Sequence, residues 1–281
     1  MTAHVFSDTI CQLGEGALWH PEREQLFWFD ILGKRLLTRA GRGEQHWDFE
    51  DCVSAAGWVD RDTLILADAS ALWRFDIETG KRDRLVGLEE DKPQTRSNDG
   101  RADPYGGFWI GTMGRNAEPE AGAIYRYYRG ALRLLVDNIT ISNAICFSPD
   151  GKYAFFTDTR DGRIMRQPLD GKGWPTGNPQ VFLDLSGEPF GPDGAVVDVQ
   201  GRFWNAQWGA GRVACYGLDG TLVDTHALPT AQVSCPAFGG PDLSTLFVTT
   251  AADGLSDDAM AGKTYTIKTT AKGQPEHRVI L

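Results

Sequence analysis

Short apolar or alternating runs, rich in Trp, Phe, Ile and Val, follow one another along nearly the whole chain, each stopped by Asp-Gly, Pro-Asp or Gly-Gly. Such runs predict short β-strands, and the near absence of helical periodicity predicts an all-β protein. The runs repeat as a unit of strand, turn, strand, turn and an aromatic-bearing strand. FSPDGKYAFFTDTRDGRIMRQPLDGKG from Phe147 and VDVQGRFWNAQWGAGRVACYGLDGT from Val197 show it most clearly. Related units start near Trp19, Trp58, Ala102 and Phe238. A period of about 40 to 50 residues is the range of a four-stranded propeller blade, so six units predict a six-bladed β-propeller, one domain over 1–281. A closed ring needs its last blade completed by the other chain end. His4 to Ile10 and His277 to Leu281 both alternate well enough to be strands, and at least one should pair there.

Three or four residues before Trp19, Trp58, Ala102, Phe147, Val197 and Phe238 stand Glu15, Ala55, Asn98, Asn143, Asp193 and Cys235. The first strand of a propeller blade lines the central channel, so these positions form a ring around one axis. Asn and Asp at such junctions ordinarily make Asx turns. Four oxygen-bearing side chains on one ring ask for more, because neighbouring carboxylates repel unless a cation joins them. Glu15, Asn143 and Asp193 are therefore the candidate ligands of one divalent cation. This hard-oxygen set points first to Ca²⁺, with Mg²⁺, Mn²⁺, Zn²⁺ and Fe²⁺ open. Three protein ligands would leave positions for water and substrate, as in a catalytic site. The 5 histidines show no paired spacing and none falls on the ring.

Composition narrows the partners. With 41% hydrophobic and 23% charged residues the chain can bury a full core, and a net charge of -10 without a basic stripe argues against nucleic acid and anionic membranes. No membrane-length apolar stretch and no signal-like N-terminus are present in the given sequence, which reads as a cytoplasmic protein, monomeric or weakly homo-oligomeric. The 5 cysteines are scattered, without C-x-x-C spacing, and read as buried thiols.

LGEGALWHPE around Glu15, RSNDGRADPYGGFWIGTM around Asn98, ISNAICFSPDGK around Asn143, GPDGAVVDVQGRFWNAQWG around Asp193 and CPAFGGPDLSTLFVTTAADGLS near the C-terminus resemble the regucalcin/gluconolactonase family of sugar lactonases, in particular bacterial lactonases of the xylonolactonase type. The resemblance implies a six-bladed propeller, one divalent cation on Glu15, Asn143 and Asp193, substrate contacts from Arg96 and Asn98, and Asp193 as general base. It implies hydrolysis of an aldonolactone to the sugar acid. Whether Asp193 or the cation activates the attacking water stays open, as do a paraoxonase-like hydrolase and a non-catalytic propeller. Asp99 could orient Arg96 or a water. After G-T-M the family often carries an acid, whereas here Arg115 and Asn116 follow Gly114 and are expected at the pocket rim as substrate contacts, with an acid-bearing lactone as one candidate substrate. Trp19, Trp109 and Trp208 are expected mainly to pack between blades.

Overall fold

The computed structural model describes residues 2–41 and 43–281. Among the described residues twenty-four strands form six four-stranded antiparallel sheets arranged as the blades of a propeller. The innermost strands are Gly14–His20, Val53–Asp60, Thr95–Ala102, Ser142–Phe147, Gly191–Val197 and Val233–Gly239, numbered here as the inner strands of blades one to six. In each of the first five blades the chain then steps outward through three more strands in sequence order.

The burial pattern explains why these segments are strands rather than helices. The second strands, such as Gln25–Asp30 (QLFWFD) and Phe108–Gly114 (FWIGTMG), are buried on both faces, because each blade is covered by its neighbours. They are accordingly near-continuous apolar runs. The outermost strands, such as Gly43–Asp48 (GEQHWD), are mostly exposed and polar. Between blades the core is largely aromatic. Trp19 stacks on Phe247 at 5.4 Å, and fully buried Trp109 meets Phe147 edge-on at 5.5 Å, so both pack between sheets as expected. All five cysteines are buried and free.

The ring is closed by the N-terminus. His4–Ser7 pairs with Thr264–Lys268 and becomes the outermost strand of blade six, so neither chain end leaves an open edge at the seam. The C-terminus does something else. Residues 277–281 are not a strand, because the last segment runs across the inner-strand ends instead of along a sheet. Gly273 donates to Leu243 of blade six, Gln274 Nε2 to the carbonyls of Val197 and Phe147, and Ile280 to Gly106 of blade three. Trp58 of blade two donates its indole N–H to Glu276 and accepts from Val279 N–H. This strap closes the channel at the end opposite the N-terminal ends of the inner strands. Between strap and channel remains a cavity of about 30 Å³, lined by Arg101, Cys146, Gln274 and Glu276 among others. Glu276 pairs there with Arg101 in a buried ion pair.

Candidate functional site

All six ring positions expected from the repeat lie on the six inner strands, and all are buried. Strand pairing refines their equivalence. Glu15 pairs with Phe29 and Asn143 with Thr157, each immediately ahead of a β-bulge. Asn98 and Asp193 lie one residue later, inside the bulges between Ser97 and Gly100 and between Pro192 and Ala195. A simple strand would turn side chains at odd and even positions to opposite faces. The bulges re-aim them. The residues following Glu15 and Asn143 are left-handed, Gly16 and Ala144 both at φ 58°. At Gly16 the conformation requires glycine, since a Cβ would stand 2.3 Å from the Ser54 carbonyl oxygen. Ala144 holds the same conformation with a Cβ, backbone strain of the kind that concentrates at functional sites.

The polar side chains form a connected group. Arg96 Nη1 donates to Asn98 Oδ1 at 2.8 Å and to the Ser97 carbonyl at 2.8 Å. Asn98 Nδ2 donates to Asn143 Oδ1 at 3.2 Å and to the Ser142 carbonyl at 2.9 Å, linking blades three and four. Asn143 Nδ2 donates to Thr159 Oγ1 at 2.8 Å, and that hydroxyl donates to the Pro192 carbonyl at 2.8 Å, next to Asp193. The Asn143 oxygen is thereby held away from Thr159. Asn205 Nδ2 donates to the carbonyls of Asp193 and Gly194 and fixes that bulge.

Glu15 and Asp193 are neighbours in the channel, and each carboxyl acts on the proton affinity of the other. Burial, then the charge of Asp99, pushes the Glu15 carboxyl up to about 8, opposed by the Gly16 amide and by Arg96. Burial and Glu15 raise Asp193 well above the ordinary carboxylate range. Asp99 is raised by burial too. Of the two expected roles, orienting Arg96 or a water, no hydrogen bond to Arg96 is present among the described residues, and Asp99 Oδ2 accepts from Ile145 N–H at 2.7 Å. Arg96 is itself buried and faces Glu15 and Asp193 electrostatically.

The residues present fit a divalent cation on two grounds. Asp193 Oδ1 is buried with no hydrogen-bond partner, which is costly unless a ligand engages it. The neighbouring Glu15 and Asp193 carboxylates are hard-oxygen donors whose mutual repulsion a cation would relieve. Among the described residues no three His, Cys, Asp or Glu side chains converge on one point, so the third protein oxygen would be the amide of Asn143.

The rim is arranged differently. Arg115 and Asn116 are exposed and engaged by carboxylates: Arg115 forms a bidentate pair with Asp51, Nη1 to Oδ1 at 3.0 Å and Nη2 to Oδ2 at 2.7 Å, and Asn116 Nδ2 donates to Glu118 Oε1 at 2.9 Å. Sequence reasoning missed Asp51 and Thr159. Asp51 stands 64 positions from its partner, and Thr159 sits two residues past the cross-strand partner of Asn143, a register that shows only once the strands are paired.

Comparison with known proteins places the chain firmly. Residues 13–252 match the family described as the SMP-30/Gluconolactonase/LRE-like region. A putative sugar lactone lactonase of Rhizobium meliloti is 42% identical over 98% of this chain and 96% of its own. An L-arabinolactonase of Azospirillum brasilense is 38% identical over 92% of this chain and 87% of its own. A crystal structure of regucalcin from Agrobacterium tumefaciens, described as a calcium-binding protein, is 38% identical and superposes with a TM-score of 0.96 over 100% of this chain and 98% of that one.

Proposed function

The chain belongs to the SMP-30/gluconolactonase/LRE-like family, and we propose that it is a sugar lactonase, a divalent-cation-dependent hydrolase of the ring ester of an aldonolactone. The observation that carries this reading is the unpartnered Asp193 Oδ1, buried near Glu15 and one residue past Pro192, whose carbonyl ends the bonded chain of Arg96, Asn98, Asn143 and Thr159.

Glu15, Asp193 and the Asn143 Oδ1 would hold the cation, which when bound supplies Lewis-acid polarisation of the lactone carbonyl. Arg96 donates within the protein through Nη1, and among the described residues its Nε and Nη2 have no protein acceptor, so they are free to bond ring or hydroxyl oxygens of the sugar. Asn98 is clamped by Arg96 and Asn143 and can hold Arg96 in place while both bind. The Asp193 carboxylate would receive the proton of the attacking water, general-base help typically worth about 10² to 10⁴ in rate. The water oxygen bonds the carbonyl carbon, the ring C–O bond breaks, and the ring oxygen leaves as a hydroxyl with the proton returned to it.

Deeper in the channel Glu276 is taken up by its pair with Arg101 and is not free to ligate a second cation, which disfavours a two-cation, paraoxonase-like reading. The test is a panel of aldonolactones at neutral pH with spontaneous hydrolysis subtracted, run with and without chelator. Cation-dependent ring opening is expected. A rate no higher than that of fully chelated protein for every lactone would overturn the proposal.

A further inference from the structure

At the mouth, Asp51 lies two residues ahead of the inner strand of blade two, and Arg115 directly follows the second strand of blade three, both at the end of the channel that carries Glu15 and Asp193. Their pair is fixed at both partners. Arg115 Nε also donates to the Pro93 carbonyl at 3.1 Å and its backbone N–H to Gln94 at 2.8 Å, while Asp51 Oδ1 also accepts from Cys52 N–H at 2.7 Å. All three nitrogen positions of the guanidinium are thus occupied. The pair is tied to the site through the backbone: Pro93 and Gln94, which Arg115 grips, lead directly into the inner strand of blade three, where Arg96 pairs with Met113, two residues ahead of Arg115.

With side chains 34% and 47% exposed, Arg115 and Asp51 form a surface-grade pair of small worth to stability. What the pair does change is the charge the mouth presents. A free Arg115 would offer a bidentate seat to a carboxylate or sulfonate on the substrate. Asp51 already fills that seat, and its Arg115 bond, together with the Cys52 amide, holds its carboxyl below the usual range, so it stays ionised. Asn116 is likewise taken by Glu118, and Lys34, the other cation beside Asp51, is exposed and turned to the Glu50 carbonyl.

Building on the lactonase reading, we infer that the Asp51–Arg115 clasp is a specificity determinant that rejects lactones bearing a negative group, so that the substrates are neutral aldonolactones. Asp51 is the repulsive element: an incoming anion must displace it from Arg115 and lie against its charge.

The experiment compares kcat/KM for a neutral aldonolactone and for the same ring bearing a terminal carboxylate, in wild type, D51N and R115Q, with folding checked by thermal melts. Wild type should favour the neutral ring. D51N removes the charge but not the shape and should raise the anionic-to-neutral ratio by about tenfold or more. R115Q leaves Asp51 unpaired and should lower the ratio further. A wild-type preference for the anionic ring, or a ratio within about twofold of wild type in both variants while the neutral lactone is still hydrolysed, overturns the inference and leaves the lactonase reading standing. Failure of wild type to open either ring overturns both.

Discussion

Thr159 and Asn143 are joined by a 2.8 Å hydrogen bond in which the amide Nδ2 donates and the threonine hydroxyl accepts, and the same hydroxyl donates onward to the Pro192 carbonyl at 2.8 Å. One side chain thereby sets which end of the Asn143 amide faces Asn98 and ties blade four to the strand that carries Asp193. A group that orients a ligand in this way typically alters affinity about 10- to 100-fold when lost.

Thr159→Val keeps the shape and removes the hydroxyl, so the Asn143 amide loses its anchor. Calcium and manganese affinity, measured by titration calorimetry, should fall about tenfold or more, and Thr159→Ser should restore most of it. Unchanged affinity in the valine variant would remove Thr159 from any part in holding Asn143.

The carboxylate pair predicts a pH dependence of the chelated protein. Glu15 holds its proton up to about 8 when folded, against an ordinary value of 4.5 when unfolded, so between those limits the folded state binds more protons. Stability from this group is then present below pH 4.5 and is lost as pH rises through about 8. Buried His20 and His226 and half-buried His277, whose values are lowered by burial, act in the opposite sense as pH rises. The contrast with Glu15→Gln isolates the carboxylate. Melting temperature of chelated wild type should fall relative to that variant from pH 5 to 8, and saturating cation should abolish the fall. Parallel curves for the two chelated proteins would refute it.

Much of this was legible in the chain and some of it was not, for identifiable reasons. The alternation of fully buried second strands such as QLFWFD with polar outer strands such as GEQHWD follows from blades covering one another, so the six units and the inner position of Glu15, Asn143 and Asp193 could be read from pattern. The exact register could not. Asn98 and Asp193 fall inside their bulges whereas Glu15 and Asn143 fall immediately ahead of theirs, and nothing in GPDGAVV announces where its bulge falls. The burial of Arg96, in contrast to a solvated loop charge, depends on the depth of the mouth. The Arg115 pair depends on two loops brought together by blade packing, and local sequence points toward Glu118 instead. The terminal strap alternates like a strand yet finds no sheet edge, since His4–Ser7 already occupies it.

Gly16 offers a test of the bulge. Its left-handed backbone and the 2.3 Å approach of a Cβ to Ser54 oxygen mean that Gly16→Ala must shift the inner strand of blade one. The variant should lose stability by about 1 to 3 kcal/mol, and cation affinity should drop with it because Glu15 is the preceding residue. Ala144→Gly relieves a residue in the same conformation and should cost little stability, although Asn143 precedes it. A Gly16→Ala protein with wild-type melting temperature would show that this turn is not under constraint.

The strap supplies the last prediction. Glu276 neutralises Arg101 inside the channel, and Arg101 in turn opposes the burial-driven rise of the Asp99 carboxyl, which faces both Glu15 and Asp193. Glu276→Gln leaves the guanidinium buried against a neutral amide, and breaking a buried pair on one side typically costs about 3 to 5 kcal/mol. Truncation after Pro275 removes the pair's carboxylate together with the hydrogen bonds to Trp58 and Gly106, and lets water reach Arg101 from below. The truncated protein should therefore melt lower than wild type, yet no lower than the combined loss of Glu276 and these bonds requires, because the exposed Arg101 regains solvation. Cation affinity should be less affected than stability, since Glu15, Asn143 and Asp193 sit at the other end of the inner strands. Unchanged melting in both variants would show that the strap lies on the channel without holding it closed.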